Sequence, residues 1–281
     1  MPPRRATVRR PDAGREDARF AVQLGGPAGG RPLLLLPGQA NSHVWWDGLR
    51  ERFEDSWRTV TFDYRGTGET VADLAGADEW TTRSFAEDAA YVMASLGLAR
   101  FDVYGTSMGG RVAQHLAAAH PDRVGGLVLA CTSPGGPHSH ERSRTVRRIL
   151  AGPSSPERTE AVLRFFYTPQ WLGTARDSHL LGDPTMTPEA ARGHLLVSNR
   201  HDAWEVLPRI VAPTLVLHGS EDPMVPTANA QLFATRIPHA RTHVHPGRHG
   251  FFDEFADEVT PLIRDFLEAE ADSGDHVGAE G

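Results

Sequence analysis

Cysteine is nearly missing from this chain: Cys131 is the only one among 281 residues. A lone thiol excludes an internal disulfide and permits a reducing compartment. Its place at the end of an apolar run reads as a small core residue. Long apolar runs are missing too. Leu33 to Leu36 is cut off by Pro32 and Pro37, far too short to span a bilayer. No apolar stretch follows the basic N-terminus, so neither a signal peptide nor a membrane partner is expected, and the cytoplasm is the default location. Positive charge is not in excess. Lys and Arg total 29 against 36 Asp and Glu, a formal net charge of -7. With no basic stripe on one face, this argues against a nucleic-acid partner. There is no internal repeat. What remains is ordinary composition at a length suited to one large α/β domain, with or without an insertion.

The stretch that organises the chain is Phe101-Asp-Val-Tyr-Gly-Thr-Ser-Met-Gly-Gly110. It reads as a strand over Phe101 to Tyr104, a tight turn, and a helix carrying Val112, Leu116 and Ala119 on one face before Pro121. The turn holds Gly105-x-Ser107-x-Gly109. A serine at such a corner is lifted clear of the sheet on strained backbone, and glycines flank it where strand and helix pass too closely for a Cβ. The Met108 amide is left free at the helix N-terminus, facing the place where an oxyanion would form.

Strand and helix signals alternate around this corner. Ala6 to Arg10 and Arg19 to Leu24 read as a hairpin turning through Pro11 to Gly14. Leu33 to Leu36, Trp57 to Phe62 and Val124 to Ala130 read as strands buried on both faces. Val44 to Phe53 is a helix candidate. Ser84-Phe-Ala-Glu87 reads as a capping box opening a helix with Phe85, Ala89, Val92, Met93 and Leu96 on its apolar side and Gly97 as its C-cap. The rhythm predicts a mostly parallel twisted sheet flanked by helices. It lapses between residues 133 and 208, where Arg147 to Leu150, Glu157 to Tyr167 and Pro188 to Ser198 suggest short helices of a cap over the sheet edge. It resumes over 209–270 with the strand Thr214 to His218, a helix near Ala228 to Arg236, the strand Arg241 to His245, and a helix with Val259, Leu262, Ile263, Phe266 and Leu267 on one face. Residues 271–281 are small and acidic, the composition of a disordered tail.

A serine hydroxyl becomes a nucleophile only when a base takes its proton and a third group orients that base. In parallel sheets such groups stand at C-terminal strand ends. The strand Thr214 to His218 ends in Gly-Ser-Glu-Asp-Pro, presenting Asp222, with Glu221 its rival. The strand Arg241 to His245 ends in Pro-Gly-Arg-His-Gly, presenting His249. The order Ser107, Asp222, His249 is that of a nucleophile-elbow enzyme. A second oxyanion donor is expected from the loop after Leu36, where Gly38-Gln39 offers the Gln39 amide. His243, His245 and His249 admit a metal reading, but no carboxylate is spaced to complete the ligand set, so no metal is implied. Trp45, Phe165, Phe166, Trp171 and Trp204 are candidates to line an acyl pocket, with Gly38 beside them, although ordinary core packing is the commoner fate of an aromatic. His43, Arg65 and Arg111 carry no assigned role.

Five segments, in order, resemble the α/β-hydrolase family: Leu36-Pro-Gly-Gln39, Asp63-Tyr-Arg-Gly-Thr-Gly68, Gly105-Thr-Ser-Met-Gly-Gly110, His218-Gly-Ser-Glu-Asp222 and Gly247-Arg-His-Gly250. The resemblance runs from Leu33 to Leu267, with Pro37 where the family usually carries histidine in its oxyanion loop. Within the family the chain is most similar to enol-lactonase, esterase and methylesterase members that carry a helical cap. The resemblance implies an α/β-hydrolase fold with the cap inserted after the strand ending near Cys131. It also implies a serine hydrolase that needs no cofactor and acts on a carboxylic ester, lactone or thioester of a small apolar molecule. Carbon–carbon bond hydrolysis or acyl transfer on the same triad is the alternative. A cap-gated receptor for a small molecule is a third reading, from another class. Serine at position 107 sets the chain apart from the aspartate-nucleophile epoxide hydrolases and dehalogenases.

Overall fold

The run Leu33-Leu-Leu-Leu36 divides the molecule into layers. Side chains alternate across a strand. Leu34 and Leu36 therefore enter the apolar cluster on one side of the sheet, and Leu33 and Leu35 the cluster on the other, all four fully buried. Each such leucine contributes about 1.5–3 kcal/mol of burial free energy, which is why the run tolerates no polar residue. The computed structural model describes residues 3–11, 16–153, 155–173 and 178–275.

Eight strands form one sheet: β1 (Arg4–Arg10), β2 (Ala18–Gly25), β3 (Arg31–Leu36), β4 (Trp57–Phe62), β5 (Phe101–Thr106), β6 (Val124–Ala130), β7 (Thr214–Gly219) and β8 (Ala240–His245). Their spatial order is β1-β2-β4-β3-β5-β6-β7-β8. β1, β2 and β4 pair antiparallel, and every neighbour from β4 to β8 is parallel. The chain steps from β3 to β4 on one side, then crosses back to place β5 on the other. That reversal opens a crevice beyond the strand ends between β3 and β5.

Helices α1 (Thr82–Ser95) and α2 (Met108–Ala119) cover one face through Phe85, Ala89, Val92, Met93, Val112 and Leu116. The opposite face is covered by α9 (Ala256–Asp275), which buries Val259, Ile263, Phe266 and Leu267. Between β6 and β7 lie α3 (Arg144–Ala151), α4 (Pro156–Phe166), α5 (Pro169–Leu172) and α6 (Pro188–Asn199). Each starts on a Ser or Thr whose side chain accepts an amide of the first turn, and proline follows in the last three. After β7 come α7 (Asn229–Ala234) and α8 (Phe251–Glu254).

Several expectations are corrected. Val44 to Phe53 is not one helix but two 3-10 turns, His43–Trp46 and Arg50–Arg52, because Gly48 between them takes a φ of 77°. Helix α1 starts earlier than Ser84. Thr81 is its N-cap, and Ser84 is the residue that answers it in the capping box. Leu262 is exposed, so it leaves the apolar face expected of α9. Helix α9 continues to Asp275, into the segment expected to be disordered, while residues 276–281 lie outside the described residues. The hairpin turn expected over Pro11 to Gly14 also falls outside them beyond Pro11. No described helix is long and apolar enough to cross a membrane.

Candidate active site

The site is assembled from strand ends. Ser107 follows β5 directly, with φ 52° and ψ -117°, a conformation costly for any residue with a Cβ. Neighbouring atoms force the bend. A Cβ on Gly105 would lie 2.5 Å from the Gly109 carbonyl oxygen, and one on Gly109 would lie 2.1 Å from that of Leu36. Only glycine lets α2 rise so near β3 and β5. The corner is held by hydrogen bonds from the Ser107 amide to the Ala130 carbonyl, 2.9 Å, and from Thr132 Oγ1 to the Ser107 carbonyl, 2.8 Å. Among the described residues, three non-glycine residues have positive φ: Ala40, Ser107 and Cys131. They follow β3, β5 and β6, so strain collects along one rim of the sheet. Burial pushes the Cys131 thiol well above its usual pKa, which keeps it unreactive.

His249 and Asp222 meet Ser107 at this rim. His249 Nε2 lies 3.1 Å from Ser107 Oγ, and its Nδ1 lies 2.7 Å from Asp222 Oδ2. Asp222 Oδ1 accepts the amides of Met224 and Val225 at 2.8 and 2.9 Å, so the turn before Pro226 aims its second oxygen at the imidazole. A carboxylate there calls for hydrogen on Nδ1, which leaves the Nε2 lone pair facing the serine hydroxyl. His218 sits behind the pair, 3.5 Å from Asp222 Oδ2, and donates from Nε2 to the Val225 carbonyl at 2.8 Å. Burial lowers its pKa, which keeps it a neutral spacer. The His249 amide donates to the Phe165 carbonyl at 3.1 Å, and the His249 ring meets the Phe166 ring edge to face at 5.2 Å. Helix α4 of the insertion thus braces the His249 imidazole. Glu221 is not in this cluster; its carboxylate lies 3.9 Å from Arg248 Nε.

Among the described residues, neither the Gln39 amide nor the Met108 amide has a hydrogen-bond partner in the protein, which leaves both as donors. The aromatic candidates divide. Trp45 is buried beneath Gly38, where a Cβ would fall 2.5 Å from its ring. Its Nε1 donates to Thr106 Oγ1 at 2.8 Å, and its ring stacks on Phe252. Phe165 and Phe166 stand beside His249 as described. Trp171 stacks on Tyr167 at 3.7 Å, and the Trp204 ring meets both the His138 ring and the Arg236 guanidinium. Each ring thus packs against neighbours within the chain.

The unassigned residues find structural partners. Arg65 grips Asp88 through Nε and Nη2, at 2.7 and 2.9 Å. Arg111 ties α2 to the Ser198 carbonyl and to Ser133 Oγ. His43 Nδ1 lies 2.9 Å from Asp63 Oδ1. His245 bonds Glu258 and the Pro246 carbonyl, turned away from His249. His194 was missed by sequence reasoning. It is fully buried on α6, with Nδ1 3.2 Å from the Ala40 amide and Nε2 2.8 Å from the Arg65 carbonyl. No local signal could have found it, because those partners are 154 and 129 residues away in the chain.

A family model described as the alpha/beta hydrolase fold matches residues 31–256. Over 273 residues the chain is 30% identical to a protein of Caulobacter vibrioides provisionally named carbamate hydrolase RutD, an alignment covering 93% of this chain and 99% of the relative. It is 29% identical over 261 residues to a poly(3-hydroxyalkanoate) depolymerase of Ectopseudomonas oleovorans, covering 91% of this chain and 90% of the relative. Among solved structures, an esterase of Rhodococcus sp. ECU1013 superposes with a TM-score of 0.80 at 24% identity, over 95% of this chain and 99% of that one. At that identity the likeness speaks for the fold.

Proposed function

Because the chain belongs to the alpha/beta hydrolase fold family, we propose that it is a serine hydrolase cleaving a carboxylic ester, lactone or thioester of a small, mainly apolar molecule through an acyl-enzyme on Ser107. One observation carries this reading: an imidazole reaches a strained serine hydroxyl with one nitrogen, at 3.1 Å, and a buried carboxylate with the other, at 2.7 Å. Ser107 Oγ attacks the carbonyl carbon as its proton passes to His249 Nε2. Asp222 holds the tautomer and stabilises the imidazolium. The amides of Gln39 and Met108 hydrogen-bond the oxyanion of the tetrahedral intermediate. As the intermediate collapses, His249 returns the proton to the departing alcohol or thiol, then takes one from the water that releases the acid.

Ser107→Ala is expected to lower kcat on a short p-nitrophenyl ester by about 10⁵- to 10⁶-fold with the circular dichroism spectrum unchanged. Turnover retained by that variant would remove Ser107 as the nucleophile. The relatives named for carbamate and polyester hydrolysis favour adding a carbamate and a hydroxyalkanoate oligomer to the ester, lactone and thioester panel, since all pass through the same tetrahedral oxyanion.

A further inference from the structure

The loop that carries the Gln39 amide does not hold its own shape. Ala40, the next residue, has a φ of 57°, a left-handed conformation that a residue with a Cβ adopts only under constraint. The constraint comes from both ends of the Gln39–Ala40 peptide. Its carbonyl accepts Asn41 Nδ2 at 3.0 Å, and its N–H donates to His194 Nδ1 at 3.2 Å. His194 belongs to α6, inside the insertion. The same insertion adds two more contacts to the loop: the Asp183 amide donates to the Ala40 carbonyl at 2.7 Å, and the Gly182 amide to Asn41 Oδ1 at 3.1 Å.

The chemistry of the His194 ring is settled by these partners. A backbone N–H can only donate, so Nδ1 must carry a free lone pair. A carbonyl can only accept, so Nε2 must carry the hydrogen that meets the Arg65 oxygen at 2.8 Å. The ring is therefore neutral and in one tautomer. Burial agrees, lowering its pKa to about 4. Phe85, Trp80 and Tyr64 surround it edge to face, with centroids 5.3, 6.0 and 6.2 Å away, so the ring cannot turn without displacing an aromatic.

We propose that His194 is a positioning residue for the oxyanion hole: from the insertion, it fixes the peptide next to the Gln39 amide and thereby aims that donor. The helical segment over the sheet is then part of the catalytic apparatus. This rests on the serine-hydrolase reading above. Hydrolysis that survives Ser107→Ala would overturn that reading, and the His194 experiment is run only on turnover that Ser107 supports.

The test uses three variants of the full chain and a short p-nitrophenyl ester. His194→Asn keeps an acceptor near the Nδ1 position and gives up the bond to Arg65. His194→Gln reaches the Nε2 position and gives up the bond to Ala40. His194→Leu gives up both. The expected result is a kcat about 100-fold below wild type for Leu and Gln, with KM changed less than about threefold and most of kcat recovered in Asn. A boronic acid that forms a tetrahedral anion on Ser107 should lose affinity in the same rank order. A folded Leu variant within about twofold of wild-type kcat would overturn the proposal, as would Asn and Gln variants impaired alike. Should the His194 variants not fold, Asn41→Ser decides, because it frees the other end of the same peptide. A kcat several-fold lower at unchanged KM is then expected, and an unchanged kcat would refute the proposal.

Discussion

Two of the imidazole–carboxylate pairs among the described residues, both on fully buried carboxylates, are built to nearly the same length. His249 meets Asp222 at 2.7 Å and His43 meets Asp63 at 2.9 Å, and both carboxylates are fully buried. They differ in what else each member touches. One oxygen of Asp222 accepts two turn amides, and the other meets the His249 imidazole, with His218 Nε2 behind it at 3.5 Å. Asp63 Oδ1 takes both the backbone amide and the ring of His43, while Oδ2 takes the Glu69 amide, so this carboxylate ties two loops together. The free nitrogen of His249 faces a strained hydroxyl, and that of His43 has no hydroxyl partner among the described residues. An imidazole held by a carboxylate is a common structural joint. It becomes a general base only where a proton waits on its far side.

Paired substitutions test that contrast most severely. On a short ester, His249→Ala and Asp222→Asn are expected to lower kcat/KM by about 10⁴-fold or more. His43→Ala and Asp63→Asn should instead change it less than about tenfold while lowering the urea midpoint, because they leave buried loop amides or a carboxylate without partners. Comparable losses of activity in the two pairs would erase the distinction.

A smaller effect separates the histidines by pH. The hydrogen bond to Asp63 raises the pKa of His43 above 6.5, against the opposing effect of burial. A raised pKa means the folded state holds the proton more tightly. The His43 contribution to stability is thus complete below about pH 6.5 and fades as pH rises through the folded value. His115 and His194 have the opposite sign. Burial lowers each to about 4, so their neutral forms favour folding above pH 6.5, and stability falls as pH drops from 6.5 towards 4. Urea midpoints should therefore show His43→Ala differing most from wild type near pH 6 and least near pH 9. A difference independent of pH would contradict the sign worked out for His43.

Ser107, Asp222 and His249, which the fold brings together, could be picked out in the sequence because each sits just past a strand in a short turn with its own glycine or proline signal. Tight backbone approach at Gly105 and Gly109 can be read from residue type alone, and so can a carboxylate before Pro223. Long-range contact cannot. The stretch from Val44 to Phe53 reads as a helix candidate, yet Gly48 and the burial of Trp45, Trp46 and Phe53 against β5 and α8 side chains set its path instead. Within the insertion, the short helical signals do not show where the helices pack, so the sequence does not distinguish the surroundings of Trp171 and Trp204 from those of Phe166. His194 stayed one of 14 histidines because its meaning depends on two loops more than a hundred residues away.

In the proposed mechanism Ser107 is a hydroxyl activated by His249. The most direct measurement is reaction of the wild-type protein with a fluorophosphonate, followed by peptide mass mapping of the adduct. A single adduct on Ser107 is expected, formed by the wild type and not by His249→Ala. An adduct on another residue, or equal labelling in the two proteins, would contradict it.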